Sequence, residues 1–225
     1  MLDIMDMKKL LILLAVFFVC FSSATYASVE QWKVEAAELY ETIPTIKSKV
    51  RYRAFWMAYV SYKRHAKKDA LLVIDYDASS LSSRAVAIDM SSLTIYKESV
   101  VSHGKNSGQL YATKFSNTEK SYQTSLGPFV TRGYRKDEVA DPSWLKYPDA
   151  IVMVGKSPKL NGNAEKRAII AHQAWYVKQI GHRLGRSEGC PAFPEGPEGK
   201  AILEFIKDGG VIFAYSDQLK ESDII

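Results

Sequence analysis

Leu71-Leu72-Val73-Ile74-Asp75-Tyr76 marks the point where the hydrophobic period of this chain changes. A short, continuous apolar run of this kind reads as a buried strand. Arg84-Ala85-Val86-Ala87-Ile88-Asp89 is a second such run. A third extends from Leu93 to Ser102, with Met90-Ser91-Ser92 as the intervening turn. Runs at this spacing suit antiparallel pairing. Further strands are predicted at residues 129–132, 151–154, 168–172 and 211–215. Helices are few here: a short one over 173–180 and a better one over 198–207, ended by Gly209-Gly210. The polar stretches 104–127, 135–147 and 156–166 are long for connections in a compact domain, and such loops usually carry function. The fold class expected from the residues is mostly β, with short helices.

Upstream of residue 70 the pattern is helical. Trp32, Ala36, Leu39, Tyr40 and Ile43 recur at helix spacing, Pro44 interrupts them, and Val50, Ala54, Met57, Ala58 and Ser61 resume it. Two amphipathic helices of this size are expected to pack on the main domain or to form a small hairpin. The aromatics Tyr52, Phe55, Trp56, Tyr59 and Tyr62 are expected in its core. The start of the chain reads differently again. Lys8-Lys9, the apolar run from Leu10 to Phe21 and the small residues up to Ala27 follow the order of a secretory signal. That run is too short for a transmembrane helix, which needs about 20 residues. Cleavage after Ala27 is expected, and Met7-Lys8-Lys9 makes a cleaner start than Met1. The expected organisation is a signal over 1–27, a helical segment over 28–69, a mostly-β main domain over 70–217 and a polar tail over 218–225. The expected compartment is the periplasm or the cell exterior, with no membrane span after cleavage.

A chain that is 47% hydrophobic and 24% charged is globular in composition. Its net charge of +5 suits an anionic wall or lipid surface, and solubility explains it equally well. No basic stripe interleaved with aromatics is present, so nucleic acid is not an expected partner. Of the two cysteines, Cys20 lies in the signal. A single thiol, Cys190, is left where thiols tend to be oxidised, so it is either reactive or paired between molecules. One cysteine also excludes a multi-cysteine zinc site.

Cys190 lies in Gly185-Arg186-Ser187-Glu188-Gly189-Cys190-Pro191, a loop composition that a passive core cysteine would not need. Gly189 lets a substrate carbonyl come close to the backbone, and the Gly189 and Cys190 N–H groups are candidate oxyanion donors. Arg183 and Arg186 are near enough in sequence to lower the thiol pKa, ordinarily roughly 8.5. A cysteine nucleophile needs a histidine within hydrogen-bond reach. His65 sits in a basic helix tail and is expected to face solvent, and His182 lies eight residues before the cysteine. His172 and His103 each end an apolar strand, which would present a ring rigidly at an edge, and the residues alone leave these two open. Acyl transfer by a thiolate and a base requires no metal or organic cofactor, and none is expected.

His172, an 18-residue step and then Ser187-Glu188-Gly189-Cys190 resemble the active-site signature of L,D-transpeptidases. Ser102-His103-Gly104-Lys105-Asn106-Ser107-Gly108, Ser121-Tyr122-Gln123-Thr124-Ser125-Leu126-Gly127 and Arg183-Leu184-Gly185-Arg186-Ser187-Glu188-Gly189-Cys190-Pro191-Ala192 resemble one subgroup. That subgroup is the murein L,D-transpeptidase catalytic domain family. The resemblance spans roughly residues 70–215. It implies an L,D-transpeptidase-type β-sandwich and a peptidoglycan stem-peptide substrate. It further implies Cys190 as nucleophile, His172 as base and the Gln173 carbonyl as the group that orients the ring. The thiolate would attack the L-centre carbonyl of the third stem residue and expel D-alanine. The thioester would then pass to an amine: a second stem peptide, a D-amino acid or a protein lysine. Ser187, Arg186, Arg183 and His103 are the residues expected to support or bind substrate.

Three departures from the family pattern bear on this. Gln173 stands where glycine is usual, and a larger side chain there is expected to narrow the cleft mouth or alter acceptor choice. Glu188 and Ala192 replace a frequent histidine and arginine, removing one carboxylate-binding cation that Arg186 or Arg183 would have to replace. Residues 134–166 match the subgroup least. Two other readings remain open at this point: a cysteine hydrolase using the same pair with water as acceptor, and a wall-binding protein with a degenerate site.

Overall fold

The computed structural model describes residues 28–141, 143 and 145–224. The signal expected over 1–27 lies outside them. Helix α1 (residues 28–42) ends beside Pro44, α2 is a single turn (Ile46–Lys49), and α3 (Tyr52–His65) follows. Residues 54–61 of α3 are all buried, the mark of a helix covered on every side. It packs on the sheet, and Glu35 of α1 reaches across it to Tyr59 and Lys63, at 2.9 and 3.0 Å. Phe55 and Tyr59 are buried, so much of the aromatic run is core, as its spacing predicts. At the start of α3, Arg51 forms a bidentate pair with Asp75 (2.7 Å to each oxygen) and also holds Asp77 and Asp217.

The domain that follows is mostly strand: β1 (Ala70–Asp75), β2 (Ala85–Asp89), β3 (Thr94–Ser99), β4 (Gly127–Tyr134), β5 (Ile151–Gly155), β6 (Ile170–Gln173), β7 (Gln179–Ile180), β8 (Arg183–Leu184), β9 (Ala192–Phe193) and β10 (Val211–Tyr215). Eight of them form one sheet in the order β3-β2-β1-β10-β4-β5-β6-β9, while β7 and β8 make a separate ribbon. β1 with β10 and β6 with β9 are parallel, and the other pairs are antiparallel. β1 is buried along nearly its whole length because α3 covers one side and helix α4 (Pro197–Ile206) the other. The same α4 also touches β3 and β6, near opposite ends of the strand order, so a single sheet curls to supply both layers. Phe205 of α4 stacks on Tyr96 of β3 at 4.3 Å.

Two local expectations are corrected. The segment 173–180 is not helical: Gln173 is the last residue of β6, 174–178 turn, and β7 begins at Gln179. Pairing with β9 claims the backbone, with Gln173 opposite Phe193 and the Ala174 N–H on the Phe193 carbonyl at 2.9 Å. His65 is half-buried rather than solvent-facing, and burial lowers its pKa, helped by Lys156 and Arg64. The chain end packs back on the domain, burying Leu219 and Ile224 and pairing Glu221 with Lys33 of α1. Among the described residues no helix is long and apolar enough to cross a membrane.

Candidate active site

The parallel pairing of β6 with β9 brings His172 and Cys190 to one cleft. His172 lies opposite Ala192, and its N–H donates to the Pro191 carbonyl at 3.3 Å. Cys190, two residues before β9, is thereby laid along β6. The Ile170 N–H points at its Sγ (3.5 Å), and Sγ lies 3.8 Å from the Ala168 carbonyl oxygen. Both side chains line one cleft of 440 Å³.

The imidazole is held on three sides. Its Nδ1 lies 2.9 Å from the Gln173 carbonyl oxygen. A carbonyl only accepts, so Nδ1 carries the proton and Nε2 is left as the basic atom. Tyr147 stacks on the ring at 4.0 Å and Tyr176 meets it edge-on at 6.3 Å. Burial pushes its pKa down to about 4, and Lys146 and Arg135 push the same way against the Gln173 carbonyl. The ring is therefore neutral at pH 7. The thiol is half-buried, and burial raises its pKa; the Ile170 N–H, Arg167 and Arg135 act in the opposite direction. The resting pair is thus thiol and neutral imidazole.

The cysteine loop is braced by the other two motifs. Ser102 donates to it twice: its N–H to the Ala192 carbonyl (2.8 Å) and its hydroxyl to the Gly185 carbonyl (2.5 Å). The Ser187 N–H donates to the His103 carbonyl (2.9 Å), and the Lys105 N–H to the Ser187 carbonyl (2.7 Å). The Gly104 N–H donates to Thr124 Oγ1 (2.9 Å), tying in the second motif. Gly185 is pressed against the Tyr176 carbonyl oxygen, where a Cβ would overlap it. Gly185→Ala is expected to lower stability by at least about 1–3 kcal/mol, the usual cost of overpacking, read by urea denaturation; an unchanged midpoint would show that this backbone contact yields.

Ser187 sits under the loop as a bridge. Its hydroxyl donates to the Cys190 carbonyl (2.6 Å) and accepts the Gly189 N–H (3.1 Å). The Gly189 donor expected for an oxyanion is thus occupied, while the Cys190 N–H has no acceptor among the described residues. Gly189 itself has φ 126°, and a Cβ there would come within 2.8 Å of the Gln123 carbonyl oxygen.

Of the remaining expected residues, Arg186 lines the cleft, with its guanidinium on the Lys105 and Gly108 carbonyls (2.8 and 2.9 Å). Arg183 lies on β8 outside the lining, its guanidinium on the Leu184 carbonyl at 2.8 Å. His103 is buried away from the cleft, with Nδ1 accepting from Arg84 at 2.8 Å. Gln173 does not narrow the mouth. Its amide turns from the cleft and donates to the Pro194 and Gly196 carbonyls (2.9 and 2.8 Å), stapling β6 to the start of α4.

The sequence reading missed Arg167, Arg135, Lys146, Tyr147, Tyr176 and Lys105, all of which line the cleft. Arg167 is the most firmly held. It donates to the Ser116 and Gln123 carbonyls (both 2.6 Å) and to the Ser121 and Ser125 hydroxyls, and it presses against Gly189. Arg135, Lys146 and Tyr147 fall in the stretch flagged as a long polar loop, the one signal available for them. Among the described residues no cluster of His, Cys, Asp or Glu is arranged to hold a metal ion.

No curated protein sequence matches the chain significantly. Among solved structures, an L,D-transpeptidase from Mycobacterium smegmatis is similar at 15% identity and a TM-score of 0.39. That likeness covers 66% of this chain and 59% of the other, so the chain spans less than two thirds of that neighbour's length. The family model of the L,D-transpeptidase catalytic domain matches residues 44–215, starting just before α2 and ending with β10. With most of its length matched, the chain belongs to the L,D-transpeptidase catalytic domain family.

Proposed function

We propose that the protein is an exported peptidoglycan L,D-transpeptidase working through a Cys190 thioester. The observation that carries this reading is a neutral imidazole, with Nε2 free to accept a proton, lining the same cleft as the thiol. Nε2 takes the thiol proton as Sγ attacks the L-centre carbonyl of the third stem residue. Because burial opposes both the thiolate and the imidazolium, proton transfer accompanies attack rather than preceding it. The Cys190 N–H receives the developing oxyanion. The intermediate then collapses: the C–N bond to D-alanine breaks, and the imidazolium returns its proton to the leaving amine. An acceptor amine repeats the sequence in reverse, losing a proton to His172, and the thiol is restored.

Charge supports the substrate class. Lys105, Arg135, Lys146, Arg167 and Arg186 line the cleft against one carboxylate, Glu188, which Lys105 pairs at 3.0 Å. A stem peptide carries several carboxylates, and a cleft of one sign concentrates them. The arginine absent at Ala192 is compensated by Arg167 and Arg135 rather than by Arg183. The export part of the proposal rests on residues 1–27 read as a signal.

The test is product mass from a tetrapeptide stem with and without an excess D-amino acid. Transpeptidation exchanges terminal D-alanine for the added amino acid and leaves an acyl adduct on the parent protein that Cys190→Ala lacks. Tripeptide alone, despite saturating amine, would make the protein an L,D-carboxypeptidase. Neither product nor adduct, from folded protein, would leave a degenerate wall-binding domain.

A further inference from the structure

The ribbon of β7 and β8 stands beside the cleft and carries groups that acyl transfer does not use. Trp175 is 64% exposed and Ile180 45% exposed. Isolated surface hydrophobics are ordinary, but the setting of this indole is not. Lys178 Nζ lies over its ring, 5.5 Å from the centroid, and Tyr176 abuts it edge-on at 6.0 Å. Tyr176 in turn lines the cleft, its ring 6.3 Å from that of His172. The indole therefore continues the wall of the catalytic cleft outward onto the surface. No aspartate or glutamate occurs between Lys166 and Ser187, while Lys178, His182 and Arg183 surround the ribbon tip. At that tip Gly181 is open, with nothing within 4 Å of the position of a Cβ.

We propose that Trp175, with Lys178, is a saccharide platform that grips the glycan strand of the polymer whose stem peptide enters the cleft. The proposal rests on the peptidoglycan reading above. A β-linked N-acetylhexosamine presents an apolar C–H face and a polar rim of hydroxyls and acetamide oxygens. A flat indole, braced by a lysine and an aromatic edge, matches that face, and the ammonium beside it matches the rim. Continuity with the cleft selects the glycan over other occupants, because a stem peptide bound at Cys190 brings its own sugar backbone along. A lipid surface is the less suitable occupant. Two apolar side chains are a small area for interfacial binding, and the lysine over the indole would be carried into the apolar layer with it.

The test uses the full-length mature chain carrying Cys190→Ala, so that no turnover occurs, and glycan strands stripped of their peptides. Calorimetry is expected to show binding that Trp175→Ala weakens at least tenfold and Trp175→Phe largely restores. In the catalytically intact protein, Trp175→Ala is expected to raise KM for glycan-linked stems severalfold while leaving kcat and the KM for free tetrapeptide unchanged. Equal glycan affinity in parent and Trp175→Ala protein overturns the proposal. So does equal loss on free tetrapeptide, or Trp175-dependent binding to anionic vesicles without glycan binding. Glycan binding without acyl transfer would refute the transpeptidase reading and leave the platform; acyl transfer without glycan binding would do the reverse.

Discussion

His172→Gln is expected to slow acylation of Cys190 by about 10²- to 10⁴-fold, the range lost with a positioned general base. The resting thiol has its pKa raised by burial, so little thiolate is present at pH 7 without a base to take its proton. Glutamine keeps an uncharged polar side chain of similar size but is not a base, so the loss is chemical rather than structural. Stopped-flow mass analysis with a stem peptide or a carbapenem, which the family resemblance implies as an acylating agent, gives the rate. Cys190→Ala sets the zero. A His172→Gln protein that acylates at the parental rate would move the base elsewhere. Neither His103, buried against Arg84, nor His182, on the ribbon, lines the cleft.

Acidification is expected to remove a large part of the folding free energy between pH 6.5 and 4. His172 and His103 both have pKa values pushed down to about 4, mainly by burial. Lys146 and Arg135 add to the effect at His172, and Arg84 leads the additional causes at His103. The ordinary value is about 6.5, so in this window the unfolded chain binds more protons than the folded one. Stability is then complete above pH 6.5 and lost as pH falls, with the loss complete below the folded pKa. Each ring contributes about 3 kcal/mol by this linkage, against a typical domain stability of about 5–15 kcal/mol. His65, also lowered by burial, adds in the same direction. The carboxylates whose pKa values are depressed, Asp217 and Asp223 among them, lose their contribution only below the ordinary carboxylate range, so they do not account for a slope above pH 5. Urea midpoints measured from pH 7.5 to 4 test this. A flat profile down to pH 4.5 would mean that the rings protonate without unfolding. His103→Gln is expected to reduce the slope.

Much of the fold was legible because its elements are locally patterned. β1, β2 and β10 announce themselves as apolar runs, and α3 as a helical period broken upstream at Pro44. The segment after His172 was not, because the choice there is made by a partner strand: β9 captures Gln173 and Ala174, and no local period records that. The position of Gln173 was legible in principle. Neighbouring residues on a strand face opposite sides, so a cleft-facing His172 sends Gln173 away from the cleft. That Cys190 and His172 share a cleft was readable from spacing and resemblance, whereas the part of Arg167 in that cleft was not. Its importance comes from hydrogen bonds to residues 116–125, a segment more than forty positions earlier, and nothing in the sequence around Arg167 marks it. The same holds for the Gly189 N–H, whose occupation by Ser187 depends on the closed geometry of the loop.

The register that sets His172 opposite Ala192 is written in backbone hydrogen bonds, and the chain between those strands leaves the domain as the β7–β8 ribbon before returning to Cys190. The number of residues between His172 and Cys190 is therefore not what fixes their distance in space. The outer turn at Gly181 can lengthen, shorten or change composition as an exchangeable cassette while His172 and Cys190 stay where the strands hold them. Such an arrangement uncouples two design problems: the shape of the outer ribbon and the placement of the cleft residues.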